Sequence, residues 1–505
     1  MKKSFLIIVA SALLFASCEV ETELDVLNYN SPGYNQVLSN ANDLENILGG
    51  AFETAINIQV TSTSLNFMLQ ADQLTTTNNS RDFWQSAFQP RRQFVNSPGS
   101  SNPSAVSCWN RAYDAIRGAN HVIRWIEGEN KPFLIDDQDK SQEALASAYF
   151  VKAMAEGSIS NIYDKGYIVN WDSTLDELQE QRSAADVLAK SIQDFDKAIA
   201  ITEAAPAGFS NDYMINITLD KARFLQVINS FAARTLISGP STKAEALNTD
   251  FTKVLAYANK GMTTDFMITT KVGVWWSSII DWAAWYYARF DSAYLQADIK
   301  IQHLMDSNYP KDYPDTGILA PAVTTDPRGA DYFTYGTSFG FLNAARDRSL
   351  FSNYRSSRWN NATNSISNDP NYDNPLFLKA EIDFIKAEAT LKTAGAPAAA
   401  AILNSSVRNT VGLITTGSTY AEVMRALHYE YAVELQLSGS AYLAWSFMKR
   451  NDLLQKGTNT LMPIPAGELE AQGISEVYTF GGQSSIGSVG TASTDGWKND
   501  ASYNQ

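Results

Sequence analysis

Residue types that often form structural crosslinks, bind metals or carry catalysis are scarce in this chain. Its 505 residues include two cysteines and three histidines, His121, His303 and His428. The histidines are far apart and have no zinc-binding spacing, and H-E-x-x-H does not occur. We therefore expect no catalytic residue and no cofactor, and we predict that the protein is not an enzyme. The sequence leaves open one catalytic arrangement, a pair of carboxylates facing each other across a substrate.

Positive charge is also in deficit, and long apolar runs are missing beyond the N-terminus. Lys and Arg number 39 against 54 Asp and Glu, which gives a formal charge of -15. This charge argues against nucleic acid as a partner and against electrostatic docking on an anionic membrane. The most apolar later window, residues 272–290, contains Asp281 and Arg289, so we expect no mature segment to span a bilayer.

The first 17 residues have the pattern of a bacterial export signal. Lys2 and Lys3 precede the apolar run 5–15, which is too short to cross a bilayer. Small residues then lead to Cys18 in an arrangement that resembles a lipobox, so we expect Cys18 to be acylated and to begin the mature protein. The alternative is a cleaved secretory signal without lipid. Acylation would leave Cys108 without a partner, and Cys108 is then best explained as a small buried side chain.

The clearest periodic helices lie in residues 375–470. Asn374 before Pro375 is a plausible N-cap, and Gly395 marks the end of that helix. A later helix closed by Gly439 has one apolar stripe, made of Tyr420, Met424, Leu427, Tyr431 and Leu435. Paired amphipathic helices of this kind predict an all-α fold built on a tetratricopeptide-like helical repeat scaffold.

Four motifs in this block, in this order, resemble the C-terminal signature of the SusD/RagB family. They are AEIDFIKAEATLKTAG, LNSSVRNTVGL, YEYAVELQLSG and LMPIPAGELE. The resemblance implies a nutrient-binding lipoprotein of the bacterial outer membrane that caps a TonB-dependent transporter. Glu19, Glu21 and Glu23 also resemble the acidic tag that directs such lipoproteins to the cell surface, although a solvated tether is the alternative.

The chain departs from the family pattern at several charged positions, which indicates a divergent SusD-like branch. The family usually has an arginine after the glutamate equivalent to Glu430, where this chain has Tyr431. Other positions that are usually charged are Ser438, Ala441 and Ala444. We therefore expect a charged network common in the family to be largely absent.

The resemblance also predicts the organisation of the chain. We expect a lipoprotein signal peptide at 1–17 and a single domain at 18–505, with helical repeats at about 109–260 and 375–470 and loop insertions at about 61–108 and 262–374. In relatives, insertions near the N-terminus and in mid-chain build the ligand face. The Gly/Ser-rich tail 471–505 is expected to be extended over the surface.

Ligand-binding candidates are nominated within these insertions by residue type and place. The second insertion has an unusual density of aromatic residues, and the candidates there are Trp275, Trp276, Trp282, Trp285, Tyr286 and Tyr287. Flat aromatic faces stack on pyranose rings, but a bulky core or a transporter contact would also explain the cluster. The first insertion contributes Asn79, Arg81 and Trp84, with Asp82 beside them.

A calcium loop is the only metal site that the spacing suggests. Asp369, Asn371 and Asp373 have the one-three-five oxygen spacing of such a loop. The glycine position is Asn374 and the twelfth position is Ala380, so turn chemistry with an N-cap before Pro375 is the simpler interpretation.

These observations predict a surface-exposed lipoprotein, attached to the membrane only through its lipid, that binds a nutrient and delivers it to a TonB-dependent outer-membrane transporter. An oligosaccharide is the expected ligand. The alternatives are a peptide ligand and a structural lid that contacts no ligand.

We predict that Cys18→Ala moves the protein from the membrane fraction to the soluble fraction, because the substitution removes the site of acylation. Fractionation and immunoblotting check this outcome. Retention of the substituted protein in the membrane fraction would contradict the lipoprotein prediction.

Overall fold

A computed structural model describes residues 40–60, 65–79, 82–98, 103–174, 176–177, 180–214, 217–270, 295–338, 342–359 and 372–505. The predicted signal, Cys18 and the acidic tag lie outside these ranges. The described chain is mainly helical, as the all-α prediction requires. Among the described helices, none is both long enough and apolar enough to cross a membrane.

Helices of the first half form the larger part of the scaffold. They are α1 (Ala41–Val60), α2 (Leu65–Gln70), α3 (Phe83–Ala87), α4 (Pro103–Ile123), α5 (Ser141–Ile162), α6 (Ala184–Ala204), α7 (Lys221–Ser238), α8 (Lys243–Ala246) and α9 (Phe251–Asn259). Consecutive helices α4, α5, α6 and α7 pack on one another, and α1 lies against α4 and α5. A capping box between Ser183 and Asp186 starts α6, and Asp220 caps α7.

Phe150 on α5 is the centre of this packing. Its ring lies 5.5 to 6.4 Å from the rings of Phe52, Phe195, Phe224 and Phe231, as measured between centroids. These rings come from α1, α6 and α7, so one buried aromatic side chain joins four helices. Buried aromatic pairs in tilted and edge-on arrangements stabilise a core beyond their area alone.

Helices of the second half are shorter and are separated by longer loops. They are α10 (Ile299–Met305), α11 (Arg328–Asp331), α12 (Lys379–Thr393), α13 (Ala396–Asn404), α14 (Val407–Thr410), α15 (Tyr420–Val433), α16 (Leu443–Lys449) and α17 (Ala466–Ala471). Helix α12 packs against α9 and α13 and joins the two halves. The buried ion pair between Arg234 on α7 and Glu381 on α12, at 2.6 Å, reinforces this junction.

Strands are short and occur in antiparallel pairs. The strands are β1 (Leu74–Thr75), β2 (Leu134–Ile135), β3 (Gln138–Asp139), β4 (Lys165–Gly166), β5 (Arg182–Ser183), β6 (Ser210–Met214), β7 (Ile217–Asp220), β8 (Phe266–Thr270), β9 (Gln296–Ala297), β10 (Phe333–Tyr335), β11 (Tyr354–Ser356) and β12 (Tyr372–Phe377). The pairs β1–β9 and β8–β12 connect distant segments, whereas the remaining pairs lie closer along the chain.

The predicted helix start at Asn374 and Pro375 is wrong. Both residues lie in β12, and α12 begins at Lys379 with Leu378 at its N-cap position. Pairing with β8 competes with the helix here, since Pro375 stands opposite Met267 and its carbonyl accepts a hydrogen bond from the Gly439 amide. The predicted stop at Gly395 is confirmed, with φ at +85°.

The apolar stripe of α15 is confirmed, although the helix is shorter than predicted. Met424, Leu427, Tyr431 and Leu435 are buried, and Tyr420 is half-buried. The helix ends at Val433 because the chain turns before Gly439, whose φ is +64°. Leu435 therefore contributes to the same buried surface from the following turn.

The tail 471–505 packs into the protein more deeply than predicted. Trp497 and Tyr503 are both buried. The Trp497 indole N–H donates to Asp72 at 2.8 Å, and the Tyr503 hydroxyl lies 2.7 Å from Nδ1 of His428. Two aromatic anchors with polar partners therefore fix a stretch whose glycines and serines suggested a surface strand. The first insertion is also more ordered than a loop, since all of α2 is buried.

A charged network does surround Glu430, contrary to the expectation from its sequence neighbours. Arg328 is buried and binds Glu430 at 2.8 Å, Glu434 at 3.0 Å and Asp326 at 2.8 Å. Arg408 and Arg358 reach the same two glutamates at 2.7 and 2.6 Å. The arginines come from three separate segments: Arg328 and Arg408 lie on the short helices α11 and α14, and Arg358 lies on the loop after β11. Because two of them lie in the second insertion, the network attaches that insertion to α15.

The packing of α15 predicts that Leu435→Ala lowers the free energy of unfolding by about 2–5 kcal/mol, since it removes a buried branched side chain. Arg425 lies on α15 and is exposed, so it serves as the control, and Arg425→Ala should change the free energy of unfolding by no more than about 0.5 kcal/mol. Urea unfolding followed by tryptophan fluorescence checks both values. Equal losses would show that the buried surface has been assigned wrongly.

The network predicts that Arg328→Met destabilises the protein by about 3–5 kcal/mol, because the buried carboxylates around it lose a shared partner. Adding Glu430→Gln to that variant should recover part of the loss by removing one stranded negative charge. Urea unfolding of the single and double variants at neutral pH measures both effects. A further loss in the double variant would contradict this explanation.

Candidate ligand-binding face

The two predicted insertions meet along a short antiparallel ladder. Strand β1 of the first insertion pairs with β9 of the second, with Leu74 opposite Ala297 and Thr75 opposite Gln296. The Asp298 amide extends this contact by donating to the Gln73 carbonyl at 3.1 Å. The two residues in each of these contacts are separated by more than 200 positions in the chain. The prediction that the two insertions contribute to one surface is consistent with this pairing.

Two buried threonines hold the second insertion to the first beyond the ladder. The Thr75 hydroxyl donates to the Leu350 carbonyl at 2.7 Å. The Thr77 hydroxyl accepts from the Asn343 amide at 2.6 Å, and the Thr77 carbonyl accepts from the Arg346 guanidinium, also at 2.6 Å. Residues 342–350 are therefore fixed over the end of β1.

Trp84 lies at this junction on the short helix α3. Its amide donates to the Asn78 carbonyl at 3.0 Å, and its ring packs against Phe88 with centroids 4.8 Å apart. The Arg346 guanidinium carbon lies 5.2 Å from the Trp84 ring centroid, within cation–π distance. The Trp84 indole N–H is buried and has no hydrogen-bond partner in the described part of the chain. A half-buried ring, a guanidinium and an unpaired donor thus come together.

The other nominated residues have different outcomes. Asn79 is exposed beside this junction, and its carbonyl accepts from the Asp82 amide at 3.3 Å. Burial raises the pKa of Asp82 above its ordinary value. The remaining candidates lie outside the described residues, namely Arg81, Trp275, Trp276, Trp282, Trp285, Tyr286 and Tyr287. The sequence did not nominate Arg346, which has no motif around it and is identified only by its position over Trp84.

The buried carboxylate of Asp72 connects the junction to the interior of the protein. Asp72 accepts hydrogen bonds from Gln455 and Trp497, both at 2.8 Å, and forms an ion pair with Arg91. Lys300 of α10 donates to the neighbouring Ala71 carbonyl. Burial opposes ionisation, but the positive charges of Arg91 and Lys300 hold the pKa of Asp72 below its ordinary value. The backbone at Asp72 has a φ of 51°, so these contacts retain a conformation that non-glycine residues rarely adopt.

A cleft of about 480 Å³ lies between the second insertion, α15 and the tail. Its lining includes His303, Thr324, Asp326, Arg408, Ile414, Arg425, Tyr429 and Tyr503. Several of its polar groups are already paired: the Tyr429 hydroxyl donates to Asp326 at 2.6 Å, and Nδ1 of His303 lies 2.6 Å from the carbonyl oxygen of Tyr309 outside the cleft. These polar side chains are therefore not free to bind a ligand in the cleft.

No cluster of three potential metal ligands exists among the described residues. Asp369 and Asn371 of the calcium candidate lie outside those residues, and Asp373 lies in β12 without a described side chain. His428 is buried, and its ring stacks on Phe447 with centroids 6.2 Å apart, as expected for a packed histidine. Cys108 is buried as predicted.

Comparison with known proteins shows similarity in structure. Neither a protein-family model nor a curated protein matches this chain. A SusD-like carbohydrate binding protein from Bacteroides vulgatus matches with a TM-score of 0.56 and 16% identity, over 82% of this chain and 84% of its own. A SusD homolog from Bacteroides thetaiotaomicron has a TM-score of 0.60 and 15% identity, with coverage of 86% and 97%. Surface glycan-binding protein A from Bacteroides uniformis has a TM-score of 0.58 and 12% identity, with coverage of 86% and 98%.

These similarities extend over the helical scaffold and most of the chain, so they concern the whole architecture and not a local motif. The resemblance predicted from the four C-terminal motifs is thereby confirmed at the level of the fold. The chain has the fold of the SusD-like proteins.

Proposed function

We propose that this protein is a divergent member of the SusD/RagB family that binds a nutrient, and that its ligand is an oligosaccharide bound where the two insertions meet. The observation that carries the proposal is the junction itself. Long insertions from distant parts of the chain are joined by β1 and β9, and they present Trp84 and Arg346 together. A binding surface built on fixed backbone loses little entropy when a ligand binds.

The chemistry of the junction favours a sugar. Pyranose rings stack on aromatic faces, and their hydroxyl groups pair with amide and guanidinium groups. Trp84, Arg346 and exposed Asn79 supply these three kinds of group within one stretch of surface. Two of the similar structures are described as carbohydrate-binding or glycan-binding proteins, which supports the same class of ligand.

The proposed location and partner rest on the sequence pattern before Cys18 and on the resemblance to the SusD/RagB family. Acylated Cys18 would hold the protein at the outer membrane on the cell surface, attached through lipid alone. The partner would be a TonB-dependent transporter that receives the captured nutrient. Consecutive packing of α4, α5, α6 and α7 is consistent with a tetratricopeptide-like scaffold, and we assign the transporter contact to that scaffold.

The junction predicts that Trp84→Ala weakens oligosaccharide binding about tenfold or more, equivalent to about 1.4 kcal/mol or more. Trp84→Phe keeps a flat ring and should retain most of the affinity. Trp125→Ala removes another half-buried tryptophan, on the scaffold, and should leave the affinity unchanged. Calorimetric titration against a panel of neutral and acidic oligosaccharides measures binding, and melting temperatures show that each variant is folded.

The same panel also tests the aromatic candidates and the alternative functions. The single alanine variants to compare are those of Trp275, Trp276, Trp282 and Trp285. A variant that keeps its melting temperature but loses binding would add that tryptophan to the proposed sugar-binding surface. Loss of stability in all four would assign that cluster to a core. Binding of short peptides but of no sugar would indicate a peptide ligand, and binding of neither would support a structural lid.

A further inference from the structure

The scaffold has a second concave surface on α4, apart from the insertion junction. Residues 113, 117, 120 and 121 recur at helical spacing on one face of α4, and Arg124 follows directly after the last residue of that helix. This face lies against the loop after β4. The helix and the loop line a cavity of about 330 Å³. Its lining consists of Tyr113, Arg117, Asn120, His121, Arg124, Val169, Asn170 and Trp171. This volume is near the lower end of the range of roughly 300–1,000 Å³ for ligand pockets. It suits one ring and not an extended chain.

Hydrogen bonds from α4 and α5 hold the loop that forms one wall of this cavity. The Tyr113 hydroxyl accepts from the Tyr167 amide at 2.6 Å. The Asn120 side-chain amide donates to the Val169 carbonyl at 3.0 Å. Lys152, which is buried on α5, donates to the Asn170 side-chain oxygen at 2.7 Å. The loop is therefore held in place before any ligand arrives, as a binding site requires.

Asn120 supplies the observation that points to a ligand. Only 8% of this residue is exposed, and its side-chain oxygen has no hydrogen-bond partner among the described residues. Its bond to the Val169 carbonyl fixes which end of the amide is the oxygen. Buried acceptors are almost always paired. A hydroxyl group of an occupant would satisfy this one.

Trp171 forms an aromatic wall next to Asn120. It is 37% exposed, which is unusual for tryptophan in a folded chain. Its ring lies against Gly128, where a Cβ atom would stand 2.7 Å from Cζ3 of the indole. The absence of a side chain at Gly128 therefore allows the ring to lie close to the end of α4. Its remaining surface is available for stacking.

The charge of the lining is positive, although the whole chain is acidic. Arg117 and Arg124 flank the cavity, and no described residue of its lining is a carboxylate. Their partners Asp114 and Glu129, at 2.8 and 3.3 Å, are exposed pairs that water screens and that an incoming anion can replace. Burial, with the charges of Arg117 and Arg124, lowers the pKa of His121, which agrees with a locally positive potential.

We propose that this cavity binds a sugar ring that carries a carboxylate, such as a uronic acid unit of a glycan. The ring would stack on Trp171, a ring hydroxyl would donate to Asn120, and the carboxylate would pair with Arg124 or Arg117. Guanidinium groups bind carboxylates through paired, charge-assisted hydrogen bonds. This site is separate from the insertion junction and does not depend on the function proposed there.

Titration of the purified full chain with glucuronate and with glucose tests the proposal, because the two sugars differ only in the carboxylate. We expect glucuronate to bind about tenfold more tightly or better. Trp171→Ala and Arg124→Ala should each abolish most of that binding, whereas Trp171→Phe should retain it. Arg111→Ala is the matched control, since Arg111 lies on α4 but does not line the cavity.

Four results would overturn the proposal, and three of them come from the sugar titrations. These are equal affinity for the two sugars, no binding of either sugar, and glucuronate binding that survives Trp171→Ala but is lost in Trp84→Ala. Stronger competition by an acidic aromatic dipeptide than by glucuronate would also overturn it, in favour of a protein partner. Each of these outcomes leaves the oligosaccharide test at the insertion junction to be decided by its own variants.

Discussion

The structure depends on the requirement that a buried charge must have partners. Asp72 shows this most clearly, because its carboxylate binds Arg91, Gln455 and Trp497, while Lys300 lies beside it. These partners come from the first insertion, the second insertion, the C-terminal block and the tail. Loss of Arg91 would leave the Asp72 carboxylate without its ion pair in the interior, which is costly. Loss of Gln455 or Trp497 would remove a buried hydrogen bond to the same carboxylate. The requirement therefore selects one mutual arrangement of four segments whose own backbone is mostly irregular.

The same requirement explains how irregular loops provide a defined surface. Arg328 ties the second insertion to α15 through Glu430 and Glu434, and Asp72 ties the first insertion to the core beneath β1. The ladder between β1 and β9 then brings Trp84 and Arg346 together. The cavity on α4 follows a related principle, since Lys152 holds Asn170 from the interior. At the insertion junction and at the cavity on α4, buried polar contacts therefore position the side chains that we propose contact a ligand.

Local patterns in the sequence predicted the scaffold well, and long-range contacts decided the rest. The stripe of α15 follows from helical periodicity, and the stop at Gly395 follows from glycine chemistry. The burial of Cys108 follows from its small apolar side chain and its lack of a disulfide partner. Asn374 and Pro375 were predicted to start a helix, but pairing with β8 prevailed over their local preference. The charge network at Glu430 could not be predicted, because Arg328 and Arg358 carry no local signature and the motif around Arg408 does not indicate which carboxylates it contacts. Trp84 was nominated by type and place, whereas Arg346, Asn120 and Trp171 become candidates only through the residues that surround them.

The central claim is that the junction of the two insertions is the surface that meets the nutrient. Hydrogen–deuterium exchange of the full chain, with and without an oligosaccharide that binds in calorimetry, tests this claim most directly. The account predicts slower exchange in residues 74–88 and 342–350 when the sugar is bound, with little change in α5, α6 and α7. Unchanged exchange in both stretches, with protection confined to the helical scaffold, would contradict it.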